Sequence, residues 1–101
     1  MNISSNISSI NAHQTMMNTN ANNIANVNTE GYVPKNTVMT NTTNSVTPNT
    51  RVADDNGSPK SQTDLAKELP DQISIENITA ANISAIKTQD EMFGSLLDIK
   101  A

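Results

Sequence analysis

The sequence predicts an all-α fold in which two long N- and C-terminal helices pack as a coiled-coil-like pair, joined by an extended or weakly β connector and ordered mainly on assembly. Three observations predict it. Ile3, Ile7, Ile10, Met17, Ala21 and Ile24 follow alternating four- and three-residue steps, with Gln14 the one polar member of the series. That is the heptad-like pattern of a helix packing against other helices. A second apolar series runs from Leu65 to Leu97, and between the two lies a Thr-, Asn- and Ser-rich stretch punctuated by Pro34, Pro48 and Pro59.

The totals point the same way. A chain of 101 residues holds one small domain at most, and one this short buries a limited share of its own surface. Tyr32 and Phe93 are its only aromatic residues, and hydrophobic residues make up 35% of it, below the usual globular share. The net charge is only −4, so the chain is not a charge-expanded disordered one. Such a composition suits elements that gain most of their burial from other subunits, and the solitary chain is expected to be loosely ordered. Cysteine is absent, which excludes disulfides and thiolate metal sites. No apolar run is long enough to span a bilayer, and the N-terminus lacks the basic region and continuous apolar stretch of a cleaved signal peptide. Six Lys plus Arg against ten Asp plus Glu argue against nucleic acid as a partner, because neutralising phosphates needs a clustered basic face.

The first helix is expected from about residue 3 to residue 28, some 39 Å at the standard rise. Ser4, Ser5, Ser8 and Ser9 lower its intrinsic propensity, so it should form when its apolar side is occupied. One arm of a small helical hairpin fits the same pattern. Near its end, Asn22, Asn23, Asn26 and Asn28 crowd seven positions. Asparagine is a poor helix-interior residue because its amide competes for backbone groups. Either the amides bond to neighbouring chains in a packed array, or this is a frayed, Asn-rich helix end. Gly31 offers a position where φ can turn positive, and Pro34 cannot continue a helix.

Residues 34–63 should form an extended or partly disordered connector. Within it, Thr37–Thr40 and Thr50–Ala53 have the β-branched content of short strands in a poor hairpin, and Asp54-Asp55-Asn56-Gly57-Ser58 is a turn signal. Residues 64–101 read as a second long helix, with Asp64 as its N-cap or first-turn acid and Lys67-Glu68 following in solvent-facing positions. Leu65, Leu69 and Ile73 set an apolar stripe that Ile83, Ile86, Phe93 and Leu97 continue. Pro70 should kink this helix or place its true start near residue 70.

Asn22-Asn23-Ile24-Ala25-Asn26 followed by Thr29, Gly31 and Tyr32 resembles the N-terminal motif of the bacterial flagellar rod and hook proteins. The other end matches independently. Asp64-Leu65-Ala66-Lys67-Glu68-Leu69, then Ala81-Asn82, then Ile86-Lys87-Thr88 through Asp98-Ile99-Lys100, resembles the C-terminal helix of the proximal-rod proteins, closest to the FlgC family. Together the matches cover residues 1–33 and 64–101. The chain departs from that pattern at Pro70, where relatives carry an apolar residue. It departs again at Asn77 and Thr79, where they tend to carry an arginine and a bulky aromatic.

The resemblance implies a structural subunit of the basal-body rod that transmits torque within a helical axial assembly. Such proteins leave through the flagellar type III export channel without a cleaved signal and end in the periplasmic rod. The partners implied are copies of the same chain, other rod subunits and the export apparatus. The apolar series and the matched motifs together assign subunit assembly to Ile10, Met17, Asn22, Asn23, Ile24, Asn26, Thr29, Gly31 and Tyr32 at one end. At the other end the set is Leu69, Asn82, Ile83, Ile86, Met92, Phe93, Leu96 and Leu97. A rod-binding adaptor or regulator of export that does not polymerise is the alternative.

No cofactor or metal is expected, and no catalytic constellation is visible. His13, the only histidine, lies off the apolar series and reads as a solvated helix residue without a partner acid or cysteine at useful spacing. The Asp54–Gly57 run lacks the alternating ligands and closing glutamate of a calcium loop. Asn-x-Ser/Thr triplets at Asn2, Asn6, Asn41, Asn56, Asn77 and Asn82 are what so much Asn, Ser and Thr produces by composition.

Overall fold

The computed structural model of the protein describes residues 3–43 and 45–100, except for the Lys100 side chain. The triplet at Asn2 lies outside the described residues. Four elements follow in order: α1 (Ile3–Ala25), β1 (Lys35–Asn41), β2 (Val46–Val52) and α2 (Leu65–Lys100). The strands form a two-stranded antiparallel sheet, with Lys35 opposite Val52 and Asn41 opposite Val46. The fold is therefore mixed, two helices with a β-hairpin, and the all-α expectation with a weak connector is incorrect.

Tertiary contacts explain the difference. Helix α1 lies between α2 on one side and the hairpin on the other. Small residues of α1 face the hairpin: Ser8, Ala12 and Thr15 line a cleft with Val46 and Pro48, and Thr19 meets Thr37. Ser8 Oγ donates to the Val46 carbonyl (3.0 Å) and accepts from the Val46 N–H (2.9 Å). Thr37 Oγ1 donates to Thr19 Oγ1 at 2.9 Å. These partners are far apart in sequence and leave no local pattern. Pro48 sits inside β2 opposite Met39, which is tolerated because a two-stranded ribbon has outward positions that need no donor.

Both ends of the connector are tied to the end of α1. Gly31, at φ 73°, donates its N–H to the Pro59 carbonyl, and the Gln62 N–H donates to the Tyr32 carbonyl. Ser61 Oγ donates to the Asn26 carbonyl and Thr63 Oγ1 to the Asn23 carbonyl. The Asp54–Ser58 run is bent by its side chains: Asp55 Oδ1 accepts from the Gly57 N–H and from Gln62 Nε2, both at 2.8 Å, and Asn56 Oδ1 accepts from the Ser58 N–H. The bonds to Asp55, the Gln62 one foremost, hold its carboxyl below the usual range. Helix α1 ends at Ala25, earlier than residue 28. Asn26 Nδ2 turns back to the Asn22 carbonyl and caps it.

Asp64 Oδ1 accepts from the Ala66 N–H at 3.0 Å and is the N-cap of α2. The helix starts at Leu65 and runs through Pro70, so Pro70 does not set its start. Its missing N–H leaves the carbonyl of Ala66 without a helical partner, and Ala66 is exposed to water. With 36 residues, α2 is about 54 Å long, against about 35 Å for the 23 residues of α1. The two run antiparallel: Asn6 meets Gln89, Ser9 meets Asn82, and Asn20 meets Glu68. Beyond Gln89, α2 continues as an overhang.

The Ser8–Val46 pair generates a prediction. Replacing Ser8 with Ala leaves both backbone groups of Val46 without that partner and should cost about 1–3 kcal/mol. Amide exchange at Val46 should accelerate while exchange in α2 stays unchanged, and equal protection at Val46 in both proteins would show that the hairpin does not depend on this anchor.

Candidate functional site

The two helices meet through a polar seam. On α2, Glu68, Gln72, Ile75, Thr79, Asn82, Ile86 and Gln89 follow alternating four- and three-residue steps, and all are buried or half-buried. On α1, Asn6, Ser9, His13, Met16, Asn20 and Asn23 follow the same rhythm in the same state. This is heptad packing whose inner positions are mostly polar. Most of the expected apolar stripe of α2 lies elsewhere: Leu65, Leu69, Ile73, Ile83, Phe93 and Leu97 are all exposed, and Ile86 alone of that stripe falls in the seam.

At the connector end of the seam sits Glu68, only 3% exposed, between Asn20 (3%) and Asn23 (1%). Asn20 Nδ2 donates to Glu68 Oε2 at 2.7 Å and to the Glu68 carbonyl at 2.8 Å. Asn23 Nδ2 donates to Glu68 Oε1 at 2.9 Å and to the Lys35 carbonyl at 2.7 Å. Asn23 Oδ1 accepts from Tyr32 Oη at 2.7 Å and from the Lys35 N–H at 3.0 Å. The two donors and two acceptor positions of this amide are thus all filled within one chain. Four segments converge on it: α1, the Tyr32 loop, the start of β1 and the first turns of α2.

Charge enters through Glu68. Its buried carboxylate has two amide donors, while Lys67 Nζ stands 3.8 Å from Oε1 and 2.9 Å from Asp71 Oδ2. The bond that Lys67 Nζ donates to Asp71 holds the Lys67 ammonium above its ordinary pKa. Burial pushes the Tyr32 phenol above its usual 10.0, and the negative charge of Glu68 acts in the same direction against a bond from Asn22. Helping to hold a carboxylate out of water is a structural use of asparagine, and it explains why Asn20 and Asn23 stand inside a helix.

The residues assigned to assembly divide accordingly. Asn23 and Tyr32 belong to the internal network, and Asn22 Nδ2 reaches Tyr32 Oη at 3.2 Å. Thr29 Oγ1 donates to Asn26 Oδ1, and Asn82 Nδ2 to Ser9 Oγ. The contacts that Asn22, Asn23, Asn26 and Asn82 make in the single chain run inside it. Ile10, Met17, Ile24 and Ile86 are half-buried, whereas Leu69, Ile83, Met92, Phe93, Leu96 and Leu97 are exposed. His13 is not solvated. It is 8% exposed, with Nδ1 at 2.7 Å from the Ser9 carbonyl.

Asn20 and Glu68 escape a reading of the sequence for assembly residues, and Glu68, expected to face solvent beside Lys67, is buried while Lys67 is exposed. Their signal is the polar heptad itself, which a search for apolar periodicity passes over. Among the described residues, no group of three or more His, Cys, Asp or Glu is placed to hold a metal ion. No helix there is long and apolar enough to cross a membrane. Comparison of the chain with protein-family models and with curated proteins finds no match.

Two predictions arise from this network. Asn23→Leu removes four bonds and leaves Glu68 Oε1 without its amide donor, so it should destabilise the chain by about 3–5 kcal/mol in urea unfolding. Asn26→Leu, at a half-buried cap, should cost about 1 kcal/mol. Similar losses for the two would show that the buried carboxylate is not the dominant constraint.

The second concerns alkaline pH. A raised folded-state pKa means that the native chain holds the Tyr32 proton more tightly than the unfolded chain does. Its stabilising contribution is intact below 10.0 and is lost as pH rises from there through the higher folded value. Tyr32 is the only tyrosine, so ultraviolet titration reads its phenolate directly. The native midpoint should lie above 10.0, and the melting temperature should fall across that window more steeply than in Tyr32→Phe. A native midpoint at or below 10.0 would contradict this account.

Proposed function

We propose that the chain is a structural subunit of a flagellar-rod-type axial assembly, its helices stacking with those of neighbouring subunits to transmit torque. The reading starts from the resemblance of its two ends to rod proteins. The observation that carries it here is the inverted distribution of side chains. Polar residues fill the seam between the helices, and apolar ones are left outside. Among the described residues, Ile75 is the one large hydrophobic side chain that is buried, while Phe93 is 63% and Leu97 54% exposed. An elongated body of 67 × 24 × 14 Å carrying such stripes supports lateral packing along a common axis.

In this reading the polar seam sets the shape of the subunit and the outward stripes bind it to its neighbours. Its partners are copies of itself and other rod subunits, reached by type III export, and its site of action is the periplasmic rod. The role is mechanical. Many modest contacts repeated in a closed array stiffen a tube built from subunits that are individually marginal.

The test is a double substitution on the α2 overhang, Phe93→Asp with Leu97→Asp. Both side chains are exposed, so the fold of the single chain should be unchanged. Incorporation into basal bodies should be lost while export continues, because each side chain enclosed in an assembly contributes about 1.5–3 kcal/mol. Equal amounts of variant and parent protein in purified basal bodies would remove the overhang as the assembly element. Parent protein found only in cytosol would favour the adaptor.

A further inference from the structure

In an antiparallel hairpin, every second residue of each strand turns its backbone N–H and carbonyl away from the partner strand. The bonds at the two ends of the ladder, Ala53 N–H to the Pro34 carbonyl and Thr42 N–H to the Ser45 carbonyl, fix which residues these are. Asn36, Val38 and Thr40 bond inward to β2, whereas Lys35, Thr37, Met39 and Asn41 point outward. Opposite them, Val46, Pro48, Thr50 and Val52 point outward from β2. An outward edge is a template for another strand unless something blocks it.

The two edges are not equally blocked. On β2, Ser8 Oγ takes both backbone groups of Val46 and Pro48 has no N–H to give, so its open run is Thr50 and Val52. On β1, the Asn23 amide takes both groups of Lys35 and reaches no further. Beyond it, Thr37, Met39 and Asn41 each present a donor and an acceptor that no hydrogen bond among the described residues takes up. The stretch from Asn36 to Asn41 holds neither charge nor proline, the usual guards of an edge. Helix α2 does not cover it, since no Cα of β1 lies within 8 Å of one in α2. Between them is a cleft whose walls include Thr37, Met16, Ile75 and Ile78, the last 42% exposed.

One strand fits this edge, and a second hairpin does not. Two β1 strands paired antiparallel are related by a two-fold axis perpendicular to the joined sheet, so both copies carry their helices on one face. On that face, across the cleft from Thr37, α2 already lies against α1, where the second copy's α1 would have to lie. A lone extended segment avoids the overlap.

We propose that the outward edge of β1 binds an extended segment of a partner polypeptide as a third, antiparallel strand. Its backbone pairs with Thr37, Met39 and Asn41, and apolar side chains at alternate positions turn toward Met16, Ile75 and Ile78. This contact is independent of whether the helices assemble.

The experiment adds the peptide acetyl-KVTVTVK-amide to the purified full chain in two N-methylated forms and follows amide exchange by NMR. The valines, on the helix-facing side, are the residues whose backbone groups meet β1. Methylation of the threonine amides should therefore permit binding, and methylation of the valine amides should abolish it. In the free chain, Thr37, Met39 and Asn41 should exchange faster than Asn36, Val38 and Thr40. Threonine-methylated peptide at about ten times its dissociation constant should slow the first set about 10-fold and leave the second unchanged. Met39→Pro removes the central donor at a position whose cross-strand neighbour is already Pro48, so the ladder should persist and peptide binding should weaken about 10-fold. Protection of Val38 and Thr40 in that variant checks the hairpin. Equal binding of the two peptide forms, or protection that does not alternate along β1, would overturn the proposal. So would sedimentation showing that the chain alone dimerises and that Met39→Pro separates the copies.

Discussion

A carboxylate removed from water between two asparagine amides is the constraint on which this structure depends. Glu68 is carried by the first turns of α2, and its partners Asn20 and Asn23 by the end of α1. An ionised side chain is costly to bury unless donors replace its hydration, and here two side-chain amides do so. Because Asn23 also takes both backbone groups of Lys35 and the hydroxyl of Tyr32, the same residue sets where the hairpin starts and how the loop returns. The antiparallel pairing of the helices, the placement of β1 and the order of the connector share one origin.

Polar seams specify more than they stabilise. Asn6 with Gln89, Ser9 with Asn82 and Asn20 with Glu68 put α1 and α2 in one register, since a slip of one turn would part every pair. The cost is that little apolar surface is buried inside the chain, where Ala12 and Ile75 are the buried hydrophobic residues among those described. What the seam does not use is left on the outer faces of both helices and on the overhang of α2. An internal seam that is polar and specific, with apolar surface outside, suits a part that meets other parts. The assembly proposal rests on that division of labour.

The helices were legible from residue pattern alone, and so were the N-cap at Asp64 and the positive φ of Gly31. Each depends on residues within a few positions of one another. The apolar stripes were legible too, but not the direction they face. Periodicity reports that a helix has two sides, and it cannot say which side the same chain will cover. The polar heptad from Glu68 to Gln89 was as regular as the apolar one. It was overlooked because burial is ordinarily assigned to hydrophobic residues, and here hydrogen bonds make polar burial possible.

Local chemistry in the sequence determined two long helices, their approximate limits and the strand tendency of the Thr- and Val-containing connector segments. Only the tertiary structure decided that those segments become a paired hairpin, because Ser8 and Thr19 anchor residues 38 and 18 positions away. It also decided that Asn23 serves its own chain, and that His13 is buried. The physical reason is the same in each case. A hydrogen bond is satisfied by whichever partner the folded chain brings within about 3 Å, and sequence spacing carries no record of that partner.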